Sequence, residues 1–308
     1  MKKLFLLFLG IVMSVNASQV DTVQPRVLLA DLGGIVIDYS TARHAGHLGY
    51  GNLLGYLAQL KNPGKLGTII FKVLNDVDIE KDPTLTPTYN KKGGQLPYLL
   101  NAYQAGKITD TQALLLALDA VQKNDEKGYF SSATEKELVK KAITIIFTPE
   151  LFASTIVSLQ PGVDIIKEIA AQENEDGTKK FRLIALSNWD KHSFELVKQK
   201  FPELFAHFEK IYLSADWGVL KPDARAFTGV LQESQIAPED IVFIDDQPEN
   251  ITAAKAAGIQ RSILYDDPDM VREQLHEVGM LPKPVKEVPW FLIGTGSLAM
   301  FLGYSIFF

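Results

Sequence analysis

The chain has 308 residues, of which 46% are hydrophobic and 22% charged, and its formal net charge is -6. This length is enough for an α/β domain with an inserted subdomain, or for two domains. The mild acidity and the absence of a long Lys/Arg run argue against nucleic acid as a partner. The chain contains no cysteine, which excludes thiol catalysis, disulfides and cysteine-based metal sites.

The N-terminus has the pattern of a secretory signal peptide. Lys2 and Lys3 precede an uncharged apolar stretch at residues 4–15, and Ala17 supplies a small residue near the expected cleavage site. The apolar stretch is short for a membrane span, so we expect residues 1–17 to be removed. An uncleaved N-terminal anchor fits the same pattern, and both interpretations predict an exported core.

A buried strand is predicted next, because segment 26–31 is largely apolar and ends at the carboxylate of Asp31. Gly33 and Gly34 then predict a tight turn, and the apolar residues 35–37 predict a short hairpin.

From about residue 40 to residue 159 the pattern is mostly helical. Breaks rich in Gly and Pro interrupt it at residues 62–64 and 81–97. The helix candidates are residues 52–59, 96–105, 109–122 and 134–146. We expect this region to form a helical cap that closes over a site and selects the substrate.

Strands and helices alternate in the rest of the chain. The strand candidates are residues 182–186, 210–214, 241–244 and 261–265, and the helix candidates are 191–200, 222–235 and 249–257. This alternation predicts parallel strands with right-handed crossovers and helices on both faces of the sheet. Ligands of such sheets bind beyond the carboxyl ends of the strands. The polar residues predicted at these ends are Asp31, Ser187, Asn188, Asp245 and Asp246.

The C-terminal residues 288–308 contain no charge and are long enough to cross a bilayer as a helix. Trp290 and Tyr304 would lie near the two membrane interfaces. We therefore predict a C-terminal transmembrane helix that holds the core on the periplasmic or extracellular side. Lys283 and Lys286, just before the span, favour the opposite orientation, and the predicted signal peptide decides between the two.

Small residues recur every four positions in this tail, at Thr295, Ala299 and Gly303. This spacing would let two copies of the helix pack closely and form a homodimer, although small residues also recur by chance. The other interpretation of the tail is a buried core helix, against which its terminal position and unbroken apolarity argue.

Four short motifs stand at predicted strand ends in a fixed order. They are Asp31, Ser187-Asn188, Lys221-Pro222 and Asp245-Asp246. Each is weak alone, but together and in this order they resemble the four motifs of the haloacid-dehalogenase-like (HAD) hydrolases. The resemblance covers about residues 26–267 and is closest in segment 245–258, which begins Asp-Asp-Gln-Pro-Glu-Asn.

The resemblance implies a fold and an activity. The fold is an α/β Rossmann-like parallel sheet formed by residues 26–39 and 160–275, with the helical cap at residues 40–159 inserted after the first strand. The activity is Mg²⁺-dependent hydrolysis of a small phosphorylated metabolite through an aspartyl-phosphate at Asp31. Segments 31–38 and 186–189 look like the branch that contains sugar-phosphate phosphatases.

The residue types suit this chemistry. A carboxylate at Asp31 can attack phosphorus and form an acyl phosphate, which splits one difficult hydrolysis into two steps. Lys221 would place a positive charge beside the phosphoryl group. The Ser187 hydroxyl and the Asn188 backbone would donate hydrogen bonds to its oxygens.

Four residues are candidate Mg²⁺ ligands, because all supply hard oxygen atoms: Asp31, the Gly33 carbonyl, Asp245 and Asp246. Asp245 and Asp246 could instead cap a helix N-terminus. Two adjacent carboxylates repel each other unless a cation offsets their charge, which favours the metal.

The sequence departs from the family pattern at Gly33. Family phosphatases usually carry there a second Asp, which protonates the leaving group, and loss of a general acid typically costs a factor of about 10²–10⁴. The substrate could have a good leaving group, or Asp38 or a cap residue could donate the proton. The alternative function is a catalytically weak or inactive, membrane-tethered HAD-like binding module.

Overall fold

The computed structural model describes residues 26–58, 64–91 and 93–282. The predicted signal peptide and the predicted C-terminal transmembrane helix lie outside these residues. Within the described part of the chain, no helix combines the length and the apolarity needed to cross a membrane.

The strands are β1 (Val27–Ala30), β2 (Ile37–Tyr39), β3 (Ile156–Ser158), β4 (Arg182–Ser187), β5 (Lys210–Leu213), β6 (Ile241–Asp245) and β7 (Arg261–Leu264). The helices between β2 and β3 are α1 (Thr41–Leu48), α2 (Tyr50–Ala58), α3 (Gly64–Asn75), α4 (Tyr98–Gln104), α5 (Asp110–Glu126), α6 (Ala133–Phe147) and α7 (Pro149–Thr155). We refer to this part, residues 41–155, as the helical insertion. The helices after β3 are α8 (Gln160–Ala170), α9 (Lys191–Lys200), α10 (Pro202–Phe205), α11 (Ser214–Trp217), α12 (Ala224–Ser234), α13 (Pro248–Ala256) and α14 (Pro268–Glu277).

Five strands form one parallel sheet in the order β5-β4-β1-β6-β7. The register places Ala30 of β1 beside Ala185 of β4 and Ile244 of β6. The residues that follow these positions therefore reach the same edge of the sheet. This edge carries Asp31, Ser187 and Asp245, and the predicted α/β fold with a parallel sheet is confirmed.

The two faces of the sheet are covered by separate apolar clusters, because successive side chains of a strand point to opposite faces. Leu28 belongs to one cluster, with side chains of α8, α9 and α14. Leu29 belongs to the other, with side chains of α12 and α13. Helices on both faces bury β1 completely, as its continuous apolar sequence predicts.

The helical insertion has an apolar cluster of its own, built from α1 to α6. Its connection to the sheet runs through β2 and β3, which pair antiparallel with Ile37 beside Ser158 and Tyr39 beside Ile156. The predicted local hairpin at residues 35–37 is therefore wrong. A short apolar run indicates a strand but does not reveal whether its partner is near or far in sequence.

Candidate active site

A buried lysine joins two of the predicted site carboxylates. Lys221 Nζ lies 3.0 Å from Asp31 Oδ1 and 2.6 Å from Asp245 Oδ2. The Lys221 side chain is 1% exposed. Burial alone lowers the pKa of this lysine, but the charges of Asp245 and Asp31 more than offset that effect and raise its pKa. The structure thus brings Asp31, Lys221 and Asp245 to one point.

Asp245 is completely buried and is held by three donors. Its Oδ1 accepts hydrogen bonds from Asn250 Nδ2 and the Gln247 backbone N, both at 2.9 Å, and its Oδ2 accepts from Lys221. Burial raises the pKa of Asp245, and the Lys221 ammonium opposes that shift. Gln247 and Asn250 lie at the start of α13, so the helix fixes the carboxylate at the end of β6.

Asn188 fixes the main chain at Lys221. Its side-chain amide donates to the Lys221 carbonyl and accepts from the Lys221 backbone N, both at 2.8 Å. The Asn188 side chain is therefore a positioning group, whereas a phosphoryl contact from its backbone stays a prediction. Ser187, at the end of β4, is buried and reaches the cavity described below.

Asp246 is paired with a lysine from the helical insertion. Lys91 Nζ lies 2.7 Å from Asp246 Oδ2, and its side chain is 58% exposed. Burial raises the pKa of Asp246, and the hydrogen bond from Lys91 opposes the shift. Gly34 makes this approach sterically feasible, because a Cβ atom there would lie 2.1 Å from Asp246 Oδ2 and its φ is +72°.

The donor set fits Mg²⁺. Asp31, Asp245 and Asp246 each offer one oxygen, and these three atoms lie within 4.8 Å of one another. Oxygens bound to one Mg²⁺ ion at about 2.0–2.1 Å lie at most about 4.2 Å apart, so small side-chain adjustments are enough. Two ammonium groups face three carboxylates here, which leaves an excess of negative charge for a cation. The donors of Asp245 already occupy both its oxygens, so Asp246 and Asp31 are the better placed ligands.

A cavity of about 570 Å³ opens above these residues. Among its lining residues are Asp31, Gly33, Asp38, Lys91, Ser187, Asn188, Lys221 and Asp246. Asp245 is not among them, because it is completely buried beneath the cavity lining. Gly33 borders the cavity, and the role of its carbonyl as a metal ligand stays a prediction.

Gly33 leaves open space where family phosphatases carry their second Asp. A Cβ atom at this position would have no heavy atom within 4 Å among its non-neighbouring residues. Asp38, the alternative donor predicted from the sequence, also borders the cavity.

Sequence reasoning missed Lys91. It lies in a turn of the Gly/Pro-rich break, where the Asn90 backbone N donates to the Gly94 carbonyl at 2.9 Å. Its signal is weak, because a lysine between Asn and two glycines is typical of any exposed turn. Only the three-dimensional approach to Asp246 distinguishes it.

Comparison with known proteins agrees with this geometry. A sequence model of the haloacid dehalogenase-like hydrolases matches residues 88–258. The chain belongs to this superfamily of hydrolases, as its four motifs indicated.

Individual relatives are distant. The chain is 27% identical over 208 residues to the drimenol cyclase drtB of Aspergillus calidoustus, which covers 67% of this chain and 35% of that protein. It is 25% identical over 170 residues to the bifunctional epoxide hydrolase 2 of Rattus norvegicus, which covers 54% of this chain and 28% of that protein. The chain thus spans about a third of the length of these curated relatives.

Among solved structures, the chain is similar to the HAD family enzyme bt-2542 of Bacteroides thetaiotaomicron in complex with magnesium and inorganic phosphate. The TM-score is 0.47 and the identity 20%, with 80% of this chain and 98% of that chain covered.

Proposed function

We propose that the protein is a Mg²⁺-dependent phosphomonoester hydrolase that acts on a small phosphorylated metabolite through an aspartyl-phosphate at Asp31. The observation that carries this proposal is the buried Lys221 between Asp31 and Asp245, with Asp246 at the same sheet edge. Such a cluster is costly to bury unless its charges are matched by a ligand or a metal.

In the first step, a carboxylate oxygen of Asp31 attacks phosphorus and the alcohol leaves. Lys221 holds this carboxylate from one side and faces the incoming phosphoryl group with its positive charge. Ser187 and the Asn188 backbone donate hydrogen bonds to the phosphoryl oxygens. In the second step, water attacks phosphorus and frees Asp31.

Asp31, Asp246 and Asp245 would hold Mg²⁺ together with the Gly33 carbonyl. The ion, when bound, offsets the repulsion between the Asp31 carboxylate and the phosphate dianion.

The leaving oxygen needs a partner, because Gly33 cannot supply a proton. Lys91 is the cap residue best placed to neutralise this oxygen, because it lines the cavity and its ammonium group contacts Asp246. Asp38 is the second candidate, as a proton donor. Its negative charge also favours a raised pKa of Lys91.

We propose the domain division 26–39 with 160–275 as the core and 40–159 as the cap. Support comes from the separate apolar cluster of the helical insertion. Three contacts hold this insertion against the core. Ser214 Oγ donates to the Gln104 carbonyl at 2.6 Å, Thr86 Oγ1 to Asp223 Oδ2 at 2.5 Å, and Arg225 Nη2 to the Thr84 carbonyl at 2.7 Å. The last two lie close in sequence to Lys91 and hold its loop over the site.

The second candidate function is a catalytically weak or inactive HAD-like binding module. Gly33 favours it, because the second Asp is absent and nothing fills its place. The retention of Asp31, Lys221 and the acid pair favours catalysis, because buried charges without a use are destabilising.

The direct test is an assay of the full-length protein, in detergent, against a panel of phosphomonoesters with Mg²⁺ and with EDTA. We expect hydrolysis that requires Mg²⁺ and that is lost in Asp31→Asn. Asp164→Asn is the control, because Asp164 is half-buried, does not line the cavity and accepts a hydrogen bond from Gln160. Phosphate binding without turnover across the panel would support the binding module instead.

We also propose that the core is exported and held at the membrane by residues 288–308. Truncation after Pro284 should then give a protein that stays in solution without detergent. Protease added to intact spheroplasts should digest the core, whereas protection until lysis would place the core in the cytoplasm. The predicted homodimer is tested by the mass of each protein in solution. If residues 288–308 form it, the full-length protein should have the mass of two chains and the truncated protein the mass of one.

A further inference from the structure

The floor and the walls of the cavity differ in chemistry. The floor carries the charged and polar groups of the candidate site. The walls are mainly apolar and are formed by Phe71, Leu100, Ile146, Phe152, Ile156 and Trp189. We propose that the cavity binds the alcohol part of the substrate and that this part is largely hydrocarbon. The preferred substrates are then phosphate monoesters of alkyl or aryl alcohols, not of sugars. This inference rests on the phosphatase activity proposed above.

The walls come from both parts of the chain. Phe71, Leu100 and Ile146 belong to the helical insertion and pack against its own apolar cluster. Phe152 and Trp189 pack against the sheet cluster, and their rings meet edge to face at 5.9 Å. Because the wall side chains are anchored in two cores, the apolar surface is preformed and a ligand need not order it.

Two polar groups among these walls, the Thr88 hydroxyl and the Trp189 indole N–H, are already engaged. Thr88 Oγ1 donates to Asn101 Oδ1 at 2.5 Å, and Trp189 Nε1 donates to Ser193 Oγ at 2.8 Å. A sugar would bring several hydroxyl groups into this space, and most of them would lose water without gaining a new partner. A hydrocarbon group has no such cost and gains from leaving water.

Three buried side-chain atoms of the lining have no hydrogen-bond or ion-pair partner in the part of the chain that the structure describes: Tyr103 Oη, Gln247 Oε1 and Glu249 Oε2. Tyr103 Oη is buried and makes no hydrogen bond of normal geometry within the described residues. Its neighbour Asp190 already accepts from the backbone N and the hydroxyl of Ser193. The cavity can therefore satisfy a few polar atoms of a ligand, fewer than the hydroxyl groups of a sugar.

The test measures kcat/KM of the full-length protein with Mg²⁺ for the n-alkyl phosphates from ethyl to hexyl, and for glucose 6-phosphate. These short esters stay in water, so the detergent does not sequester them. We expect kcat/KM to rise about fourfold for each added methylene group while the cavity fills. Glucose 6-phosphate should lie at least about a hundredfold below hexyl phosphate.

A matched pair of variants locates the effect. Ile146→Phe narrows the cavity and should flatten the rise for the longer esters. Ile69→Phe makes the same change at a half-buried position of the same apolar cluster that does not line the cavity, and the series should keep its slope. Thermal unfolding shows whether both variants are folded. If Ile146→Phe does not fold, the alkyl phosphate series of the wild-type protein alone tests the proposal.

Acetyl phosphate, a small activated phosphoryl donor, separates the two proposals. If it is hydrolysed while the alkyl series is flat or glucose 6-phosphate is preferred, the hydrocarbon preference is wrong and the phosphatase stands. If acetyl phosphate is not hydrolysed, the proposed phosphatase activity is wrong. Calorimetric measurement of ligand binding then tests the apolar cavity by itself. Hexyl phosphate binding more tightly than glucose 6-phosphate would support the apolar cavity, and equal or weaker binding would overturn it.

Discussion

The sheet edge and the helical insertion each bring one lysine to the same carboxylate cluster, and the two lysines differ in setting. Lys221 is 1% exposed and contacts Asp31 and Asp245, whereas Lys91 is 58% exposed and pairs with Asp246. The backbone at Lys221 is fixed by Asn188, but Lys91 stands on a turn. From similar ammonium–carboxylate distances we therefore expect different consequences: loss of the first contact should destabilise the fold, and loss of the second should mainly affect the proposed catalysis.

The largest expected effect comes from Lys221→Met. Removal of this ammonium leaves two neighbouring carboxylates without their shared partner, so the free energy of unfolding should fall by about 3–5 kcal/mol. Activity should fall at least a hundredfold, about the effect of one lost electrostatic contact to the transition state. Denaturant unfolding and steady-state kinetics measure the two effects. Unchanged stability would show that Asp31 and Asp245 do not depend on Lys221.

Lys91→Met should separate catalysis from stability. Lys91 is 58% exposed but the Asp246 side chain is only 6% exposed, so the free energy of unfolding should fall by about 1 kcal/mol, well below the loss expected for Lys221→Met. Activity should fall by about 10–100-fold, with a larger loss on alkyl esters than on activated aryl esters, because only the former need help with the leaving oxygen. The control is Lys107→Met, an insertion lysine paired with Asp82 at 3.4 Å that does not line the cavity. Equal losses in both variants would contradict a catalytic role for Lys91.

Gly33→Asp should raise turnover on alkyl esters about tenfold by restoring a proton donor, with little gain on activated aryl esters. The space is open at this position. Gly34→Asp makes the same change one residue later and should inactivate the protein, because its Cβ would overlap Asp246 Oδ2 at a φ of +72°. If both ester classes gain equally from Gly33→Asp, proton donation is not what limits the enzyme.

The smallest effect concerns the contact between the insertion and the core at Asp223. Hydrogen bonds from Arg225 and Thr86 lower the pKa of Asp223 to about 2, below its usual 3.8. Its stabilisation is therefore present above the usual pKa and is lost as pH falls through 2. Asp223→Asn should lower the free energy of unfolding by about 1–2 kcal/mol at neutral pH, and the difference should shrink below about pH 4.

Asp176→Asn is the control for this pH dependence. Asp176 also has a lowered pKa, from hydrogen bonds with Thr178, but it lies in an exposed turn away from the insertion. The free energy of unfolding is measured as a function of pH for the wild type, Asp223→Asn and Asp176→Asn. A profile of Asp223→Asn that runs parallel to wild type at all pH values would rule out the ionised contact.

The sheet could be predicted from the sequence because its signals are local. Helix α9 has the predicted bounds, residues 191–200, and the strand that ends at Asp245 begins at Ile241 as expected. Parallel topology then determines that polar residues after β1, β4 and β6 converge. The grouping of Asp31 with Asp245 follows from these elements, whereas Lys221 reaches them from the loop between α11 and α12. The roles of all three residues in catalysis stay predictions.

The helical insertion was harder to predict because its signals are weak or distant. Helix α1 (Thr41–Leu48) contains few apolar residues and starts at a Ser40 cap, so its periodicity gave no indication. The partner of β2 lies more than a hundred residues away, in β3. Lys91 and the apolar walls are brought to the site by packing between helices, which no local pattern encodes.

Trapping of the covalent intermediate tests the central claim most directly. Full-length protein is mixed with acetyl phosphate and Mg²⁺, quenched with borohydride, which reduces an aspartyl-phosphate to homoserine, and mapped by peptide mass spectrometry. We predict homoserine at position 31 only when substrate and Mg²⁺ are both present, and none in Asp31→Asn. Phosphate release with an unmodified Asp31, or modification at Asp245 or Asp246 instead, would contradict the proposed mechanism.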